Sequence, residues 1–281
     1  MNIRPTPIKK VCWDVTIYTG VCLLLMFILG PIIWTALTSL QSYVNLTSVP
    51  PKITLTQIDL YYYKWLFGDV AFRRALLQSI TVVGCATCLG IVLAALGAYA
   101  LGTGQLKGKS VVMFLLLSVQ LVPALTFLIP LFLMLRSLQL VDTFVGLVVV
   151  FLLFQAPVGI WMLRPFFESI PKEVFDAARI DGCSTFAAFL HVAVPLARPG
   201  LFAIAIYLFI TGWGDLLIPL TVGIFRYRLI TVYASAFGGL YQIDYGGATA
   251  VATISAIPSI ILAIMFRKQL IEGLIAGAVK G

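Results

Sequence analysis

Charge is scarce in this sequence. Only 11% of its 281 residues are Asp, Glu, Lys or Arg, against about 25% in an average soluble domain. That is too little polar surface for a water-soluble body of this size, so the 61% of hydrophobic residues point to bilayer as the solvent. Few carboxylates fall inside the apolar runs, which leaves little from which to build a proton relay. There is one histidine, His191, and no cluster of metal ligands. A metal site needs several ligands, so His191 reads as a surface or interface residue. The five cysteines, Cys12, Cys22, Cys85, Cys88 and Cys183, imply no disulfide framework. Cys85 and Cys88 form a CxxC, a redox or metal signal in other settings; inside a membrane helix they read as small packing residues. The net charge is +8, yet no Lys/Arg run carries interleaved aromatics, so nucleic acid is excluded as a partner. The nearest approach to a phosphate-binding loop is Thr103-Gly-Gln-Leu-Lys-Gly-Lys-Ser110. It has Thr103 where glycine is required and no preceding strand, so ATP is not bound by this chain. No plane of clustered catalytic residues suggests a membrane enzyme.

What is present is a series of long apolar runs. A spanning helix needs about 20 mostly apolar residues. Six runs qualify, near 15–38, 75–102, 110–135, 143–163, 200–222 and 247–266. Arg4, Lys9 and Lys10 before the first resemble a signal peptide's basic region. The run exceeds the roughly 7–15 residues of such a segment and reads as a retained helix. The expected fold class is therefore all-α integral membrane with six transmembrane helices. Pro123, Pro130 and Pro258 inside runs predict kinks. With six spans the loops alternate, dividing the 19 basic residues 12 to 7. The richer side holds both termini, which the positive-inside rule assigns to the cytoplasm. The remaining tail is 267–281. Asp215 interrupts the fifth run, and an intramembrane charge is a functional candidate by default.

The inner loop 164–199 is long and polar. It reads Pro171-Lys-Glu-Val-Phe-Asp-Ala-Ala-Arg-Ile-Asp-Gly182. Pro171 suits a helix start and Gly182 the position just past a helix end. Lys172, Asp176 and Arg179 fall on one side at helical spacing, with Val174, Phe175 and Ala178 on another. The small Ala177 and Ala178 permit close approach by another surface. A second helical stretch runs from Ser184, a suitable N-cap, to Pro195.

At these residues the chain resembles the permease family of ABC importers. That family's signature is Glu-Ala-Ala, three residues, Gly, nine residues, then Ile-x-Leu-Pro. Here it reads Asp176-Ala177-Ala178, Gly182 and Val192-Ala193-Val194-Pro195 at matching spacing, with Asp181 before the glycine. Gly212-Trp213-Gly214-Asp215 looks like the Trp-Asn-x-tyrosine region of the carbohydrate subfamily, with Gly214 where Asn is usual. Gln78-Ser79 stands where that subfamily has Asn-Ser, and the ending 273–281 looks like its Gly-rich tail. The chain looks closest to the second permease subunit of maltose transporters.

The resemblance implies a type I ABC importer permease fold, with a cytoplasmic coupling helix between spans four and five. The expected ATPase-coupling residues are Asp176, Ala177, Ala178, Asp181, Gly182, Val192, Val194 and Pro195. Trp213 and Asp215 are expected on the substrate path. It implies a bacterial inner-membrane protein that is not itself an enzyme and binds no cofactor or metal, ATP and Mg belonging to its partners. Those partners are a second permease, two cytoplasmic ATPases, an external solute-binding protein and membrane lipid. The implied cargo is a sugar or sugar-like solute, with glycerol phosphate or polyamine as alternatives. A secondary transporter would predict inverted repeats and a charged midplane site, and neither is visible.

Overall fold

The computed structural model describes residues 7–54, 56, 58–104, 107–238 and 244–269, with side chains from residue 13 onward. Its helices, in chain order, are α1 (Pro7–Thr38), α2 (Tyr43–Thr47), α3 (Tyr61–Gly68), α4 (Val70–Thr103), α5 (Lys109–Leu121), α6 (Ala124–Ser137), α7 (Phe144–Glu168), α8 (Lys172–Ile180), α9 (Thr185–Leu196), α10 (Arg198–Gly214), α11 (Leu217–Val222), α12 (Ile230–Ser235) and α13 (Tyr245–Met265). Four of these helices are long and apolar enough to cross a membrane, or up to six crossings if each bent pair is one.

The chain divides into two compact units, Met1–Asp69 with Ala236–Ser255 and Val70–Ser235 with Ala256–Gly281. In the first, the flanks of α1 from Trp13 to Trp34 are exposed along their length, leaving that surface for lipid or another subunit. The turn after α1 is built on the buried amide of Gln41. Its Nε2 donates to the carbonyls of Leu37 and Thr54, and its Oε1 accepts from the Thr54 N–H. Tyr62 of α3 packs against Gly246 with no room for a Cβ between them. Burial, and then the neighbouring Asp244 carboxylate, push its phenol up to about 12, so it remains a neutral hydroxyl at physiological pH.

The second unit is built around α4 and α7. At 34 residues, α4 is about 51 Å long, well beyond the ~30 Å hydrocarbon core. It must tilt or project into water. Small residues bring it against α7. An added Cβ on Gly159 would meet the Ala94 Cβ at 2.7 Å, and one on Gly97 would meet Ile160 at 2.7 Å. This is how membrane helices associate when apolar surface alone supplies no driving force between them. α10 packs on both.

Two apolar runs are broken. The 110–135 run is not one kinked helix: α5 and α6 meet at 96° around Val122-Pro123. Pro123 lacks an N–H and drives the preceding residue to extended backbone; Val122 indeed has ψ 131. The 200–222 run stops at Gly214 and resumes as α11. There the Asp215 carboxylate accepts from the Ile218 N–H at 2.9 Å, capping the second piece. α7 continues to Glu168, where Arg164 and Glu168 pair at 2.8 Å.

Asp142 fastens one loop. It has φ 58, and its carboxylate accepts the backbone N–H groups of Phe225, Arg226 and Tyr227 at 2.7–3.2 Å. From α4, Gln78 Nε2 donates to the Arg226 carbonyl and Ser79 Oγ accepts from the Ile230 N–H. Three N–H groups on one carboxylate make a charge-assisted clamp. Asp142→Ala is expected to cost about 2–3 kcal/mol locally and to speed tryptic cleavage at Arg226 and Arg228 in reconstituted protein. Unchanged cleavage would mean that Gln78 and Ser79 hold the loop without it.

Candidate functional site: an amphipathic loop helix and a polar cavity

α8 has three distinct sides at about 100° per residue. Phe175 and Ala178 are buried, with Val174 partly so. Glu173, Asp176, Ala177 and Ile180 are exposed and share the opposite face at i, i+3, i+4 and i+7 spacing. Ile180 is 86% exposed, an apolar residue that no described residue covers. The Asp176–Arg179 pair, at 3.2 Å, is exposed on both sides and contributes little by itself.

The end of α8 is closed by backbone geometry. Gly182 has φ +85, its N–H donates to the Arg179 carbonyl at 3.0 Å, and the Cys183 N–H donates to Ala178 at 2.9 Å. These are the two bonds of a Schellman motif, with Asp181 as the C-cap. No atom lies within 4 Å of where a Cβ on Gly182 would sit. Glycine is needed there for its positive φ and not for space.

α9 starts at Ser184, whose Oγ accepts from the Ala187 N–H. It passes through a π turn at Phe189–Ala193, where the Val194 N–H reaches the Phe189 carbonyl. The wide turn precedes Pro195, which has no N–H to give the helix. Val192 and Val194 are half-buried and Pro195 is exposed. His191 Nδ1 lies 3.0 Å from the Ala187 carbonyl on the exposed side. The chain then turns by 80° into α10.

The signature residues therefore gather on two consecutive helices, and a residue outside the signature ties them to the bundle. Tyr99, near the end of α4, has its ring 5.9 Å from Phe167, 5.9 Å from Phe175 and 5.1 Å from Phe189. It thus touches α7, α8 and α9 at once. Its hydroxyl donates to the Thr185 carbonyl at 3.4 Å. Aromatic contacts of this kind are worth about 0.5–1.5 kcal/mol each beyond area burial. The sequence signal for Tyr99 was weak: a single aromatic at the end of an apolar run reads as an interfacial residue.

A second feature lies among α5, α7, α10 and α11: a cavity of about 200 Å³, lined by Gln120, Phe151, Phe154, Gln155, Tyr207, Thr211 and Asp215 among others. No Lys or Arg is among its described lining residues. Gln120 Nε2 donates to Phe154 O, and Gln155 Nε2 to Leu208 O. Gln155 is only 6% exposed, and Gly90 and Gly212 make room for its amide, since a Cβ on either would come within 3.2 or 2.6 Å of it. Asp215 lines this cavity while capping α11, and its own carbonyl accepts from Thr231 Oγ1. Trp213 is buried and stacks on Phe209 at 5.5 Å, and it is not among the lining residues.

Comparison with known proteins places this geometry. Residues 86–274 match the family model for binding-protein-dependent transport system inner membrane components. The chain is 33% identical over 258 residues to the trehalose transport system permease protein SugB of Mycobacterium tuberculosis, covering 91% of this chain and 93% of that one. It is 32% identical over 265 residues to the sulfoquinovosyl glycerol transport system permease protein SmoH of Agrobacterium fabrum, covering 94% and 93%. The trehalose/maltose transport system permease protein MalG of Thermococcus litoralis is 27% identical over 275 residues, covering 97% and 99%. Among solved structures, a bacterial ABC transporter involved in the import of the acidic polysaccharide alginate superposes with a TM-score of 0.81 at 22% identity, covering 95% of this chain and 99% of that one.

Proposed function

The chain belongs to the family of binding-protein-dependent transport system inner membrane components, and from that premise we propose that it is the permease subunit of an ATP-driven importer of a sugar or sugar-like solute. The family membership makes it a membrane-embedded component that works with a solute-binding protein, and not the catalytic part of the system. The observation that carries the mechanism is the outward face of α8, backed by a rigid Schellman end and by the Tyr99 aromatic cluster. A small, partly apolar, partly charged helix face on a fixed mount suits insertion into a cleft of a partner protein. In this reading Asp176, Ala177, Asp181 and Gly182 meet a cytoplasmic ATPase. Ala178 holds α8 to its mount, and Val192, Val194 and Pro195 carry the motion into α10. ATP and Mg are bound by the ATPases.

The sugar assignment draws on the trehalose and maltose named for two of the relatives and on the cavity. Amides, hydroxyls and aromatic faces recognise a polyol, and the absence of a cation from the lining disfavours a phosphorylated solute. Asp215 lines that path; Trp213 supports it from behind. The spans are α1, α4, the α5–α6 pair, α7, α10 with α11, and α13. At 17 residues, α10 is about 26 Å long, close to the hydrocarbon thickness. Both termini then face the cytoplasm; the tail beyond residue 269 lies outside the described residues. A second permease subunit completes the pathway.

The test is to pull the chain from its native membrane in a mild detergent and identify what accompanies it. The expected companions are an ATPase and a second permease, with ATP hydrolysis stimulated by a sugar-loaded binding protein. Recovery of the chain alone, with uptake driven by an ion gradient, would sink the proposal.

A further inference from the structure

A cleft of about 760 Å³ lies on the other flank of α8, between it and the α4–α5 turn. Its lining includes Lys107, Lys109, Lys172 and Arg179, with Asp176 as the only carboxylate among the described lining residues. That carboxylate is already paired with Arg179. The three lysines have no ion-pair partner among the described residues. Four cations against one acid, in a cleft walled by low-dielectric helices, focus a positive potential. Two uncapped helix starts add to it: α5 begins at Lys109 and α8 at Lys172, and neither first turn is closed by a side chain. The end of α4 opposes this with its carbonyls, but a net of three full charges outweighs one half-charge.

We propose that this cleft binds the phosphate of an anionic phospholipid headgroup. The lipid source follows from position. Lys107 and Lys109 separate two apolar helices, α4 and α5, so the cleft opens where those helices leave the hydrocarbon. Tyr99 lines it as well, and aromatics mark that same boundary. Basic pockets between membrane helices on the cytoplasmic side are suited to anionic headgroups. The volume falls within the ~300–1,000 Å³ of ordinary ligand sites and exceeds what one bare phosphate fills. Lys172 and Arg179 belong to α8, so a bound headgroup would tether the cleft flank of that helix to the bilayer. The flank adjoins the Ala177–Ile180 face and shares Asp176 with it, the carboxylate paired with Arg179.

The test takes the chain with its co-purifying partners in nanodiscs of phosphatidylcholine, with and without phosphatidylglycerol. Native mass spectrometry counts retained phosphatidylglycerol, and acetylation reports the reactivity of Lys107 and Lys109. Wild type is expected to keep a phosphatidylglycerol molecule and to show both lysines protected by it. K107Q/K109Q should weaken retention roughly 30-fold, about fivefold per lysine. K107R/K109R should keep it, which separates charge from folding. K268Q, a basic change elsewhere, should change nothing. Equal retention in wild type and K107Q/K109Q overturns the site. Protection by inorganic phosphate but not by phosphatidylglycerol overturns the lipid source. Protection of Lys107 and Lys109 only when ATPase subunits are present assigns the cleft to a protein contact and overturns the proposal.

Discussion

Ala177→Arg should abolish uptake while leaving the chain in the membrane in normal amount. Ala177 is exposed, so the longer side chain meets nothing in this chain and folding is spared. In the assembly it stands at the centre of the Glu173, Asp176, Ala177 and Ile180 face. A guanidinium there occupies space needed for close approach and carries a charge that the contact must desolvate. Central interface positions are worth about 2–4 kcal/mol, or roughly 30- to 1,000-fold in affinity. ATPase recovery with the purified chain should fall by that factor. Tyr99→Ala should separate two steps that Ala177→Arg loses together. The outward face is intact in that variant, so the ATPase stays bound. The contacts of α4 with Phe167, Phe175 and Phe189 are gone, so ATP hydrolysis no longer drives uptake. Normal uptake by Ala177→Arg, with the ATPase retained, would remove α8 as the docking element.

The helical, membrane-embedded character of the chain was legible because it rests on composition and run length, which no tertiary contact can reverse. The same holds for α8 and its ends. Pro171, Ser184 and Gly182 act through local backbone geometry; Gly182 was readable as a helix stop, and the structure gives it φ +85. What could not be read were features that depend on distant partners. Asp142 carries no local sequence signal; its three N–H partners lie more than 80 residues away. Gln78-Ser79 was noticed only by family resemblance, and the structure gives it a physical task, bonding to Arg226 and Ile230. Pro123 was readable as a kink, but the size of the bend depends on what α5 and α6 pack against. Trp213 and Asp215 stand two positions apart in sequence and were taken together. A helix end between them sends one into the packed interior and the other to the cavity wall.

The other large effect should come from the α4–α7 contact. Gly159→Leu is expected to remove most of the folded protein from the membrane, where Gly84→Leu leaves it unchanged. Both glycines sit in long apolar helices, and both substitutions raise hydrophobicity, so propensity and membrane insertion predict no difference between them. Packing does. Nothing lies within 4 Å of a Cβ on Gly84. A Cβ on Gly159 would lie 2.7 Å from the Ala94 Cβ, an atom fixed to the α4 backbone that no rotamer change can move. Ala94 is fully buried, so the two helices must separate. That separation breaks the Gly97–Ile160 contact further along the same interface. Overpacking of this kind costs about 1–3 kcal/mol where neighbours can yield, and more where backbone must move. The measurement is the membrane-extracted, monodisperse fraction of each variant. Equal recovery of the two would mean that α4 and α7 are held apart in the assembled complex and that their close approach is not needed there.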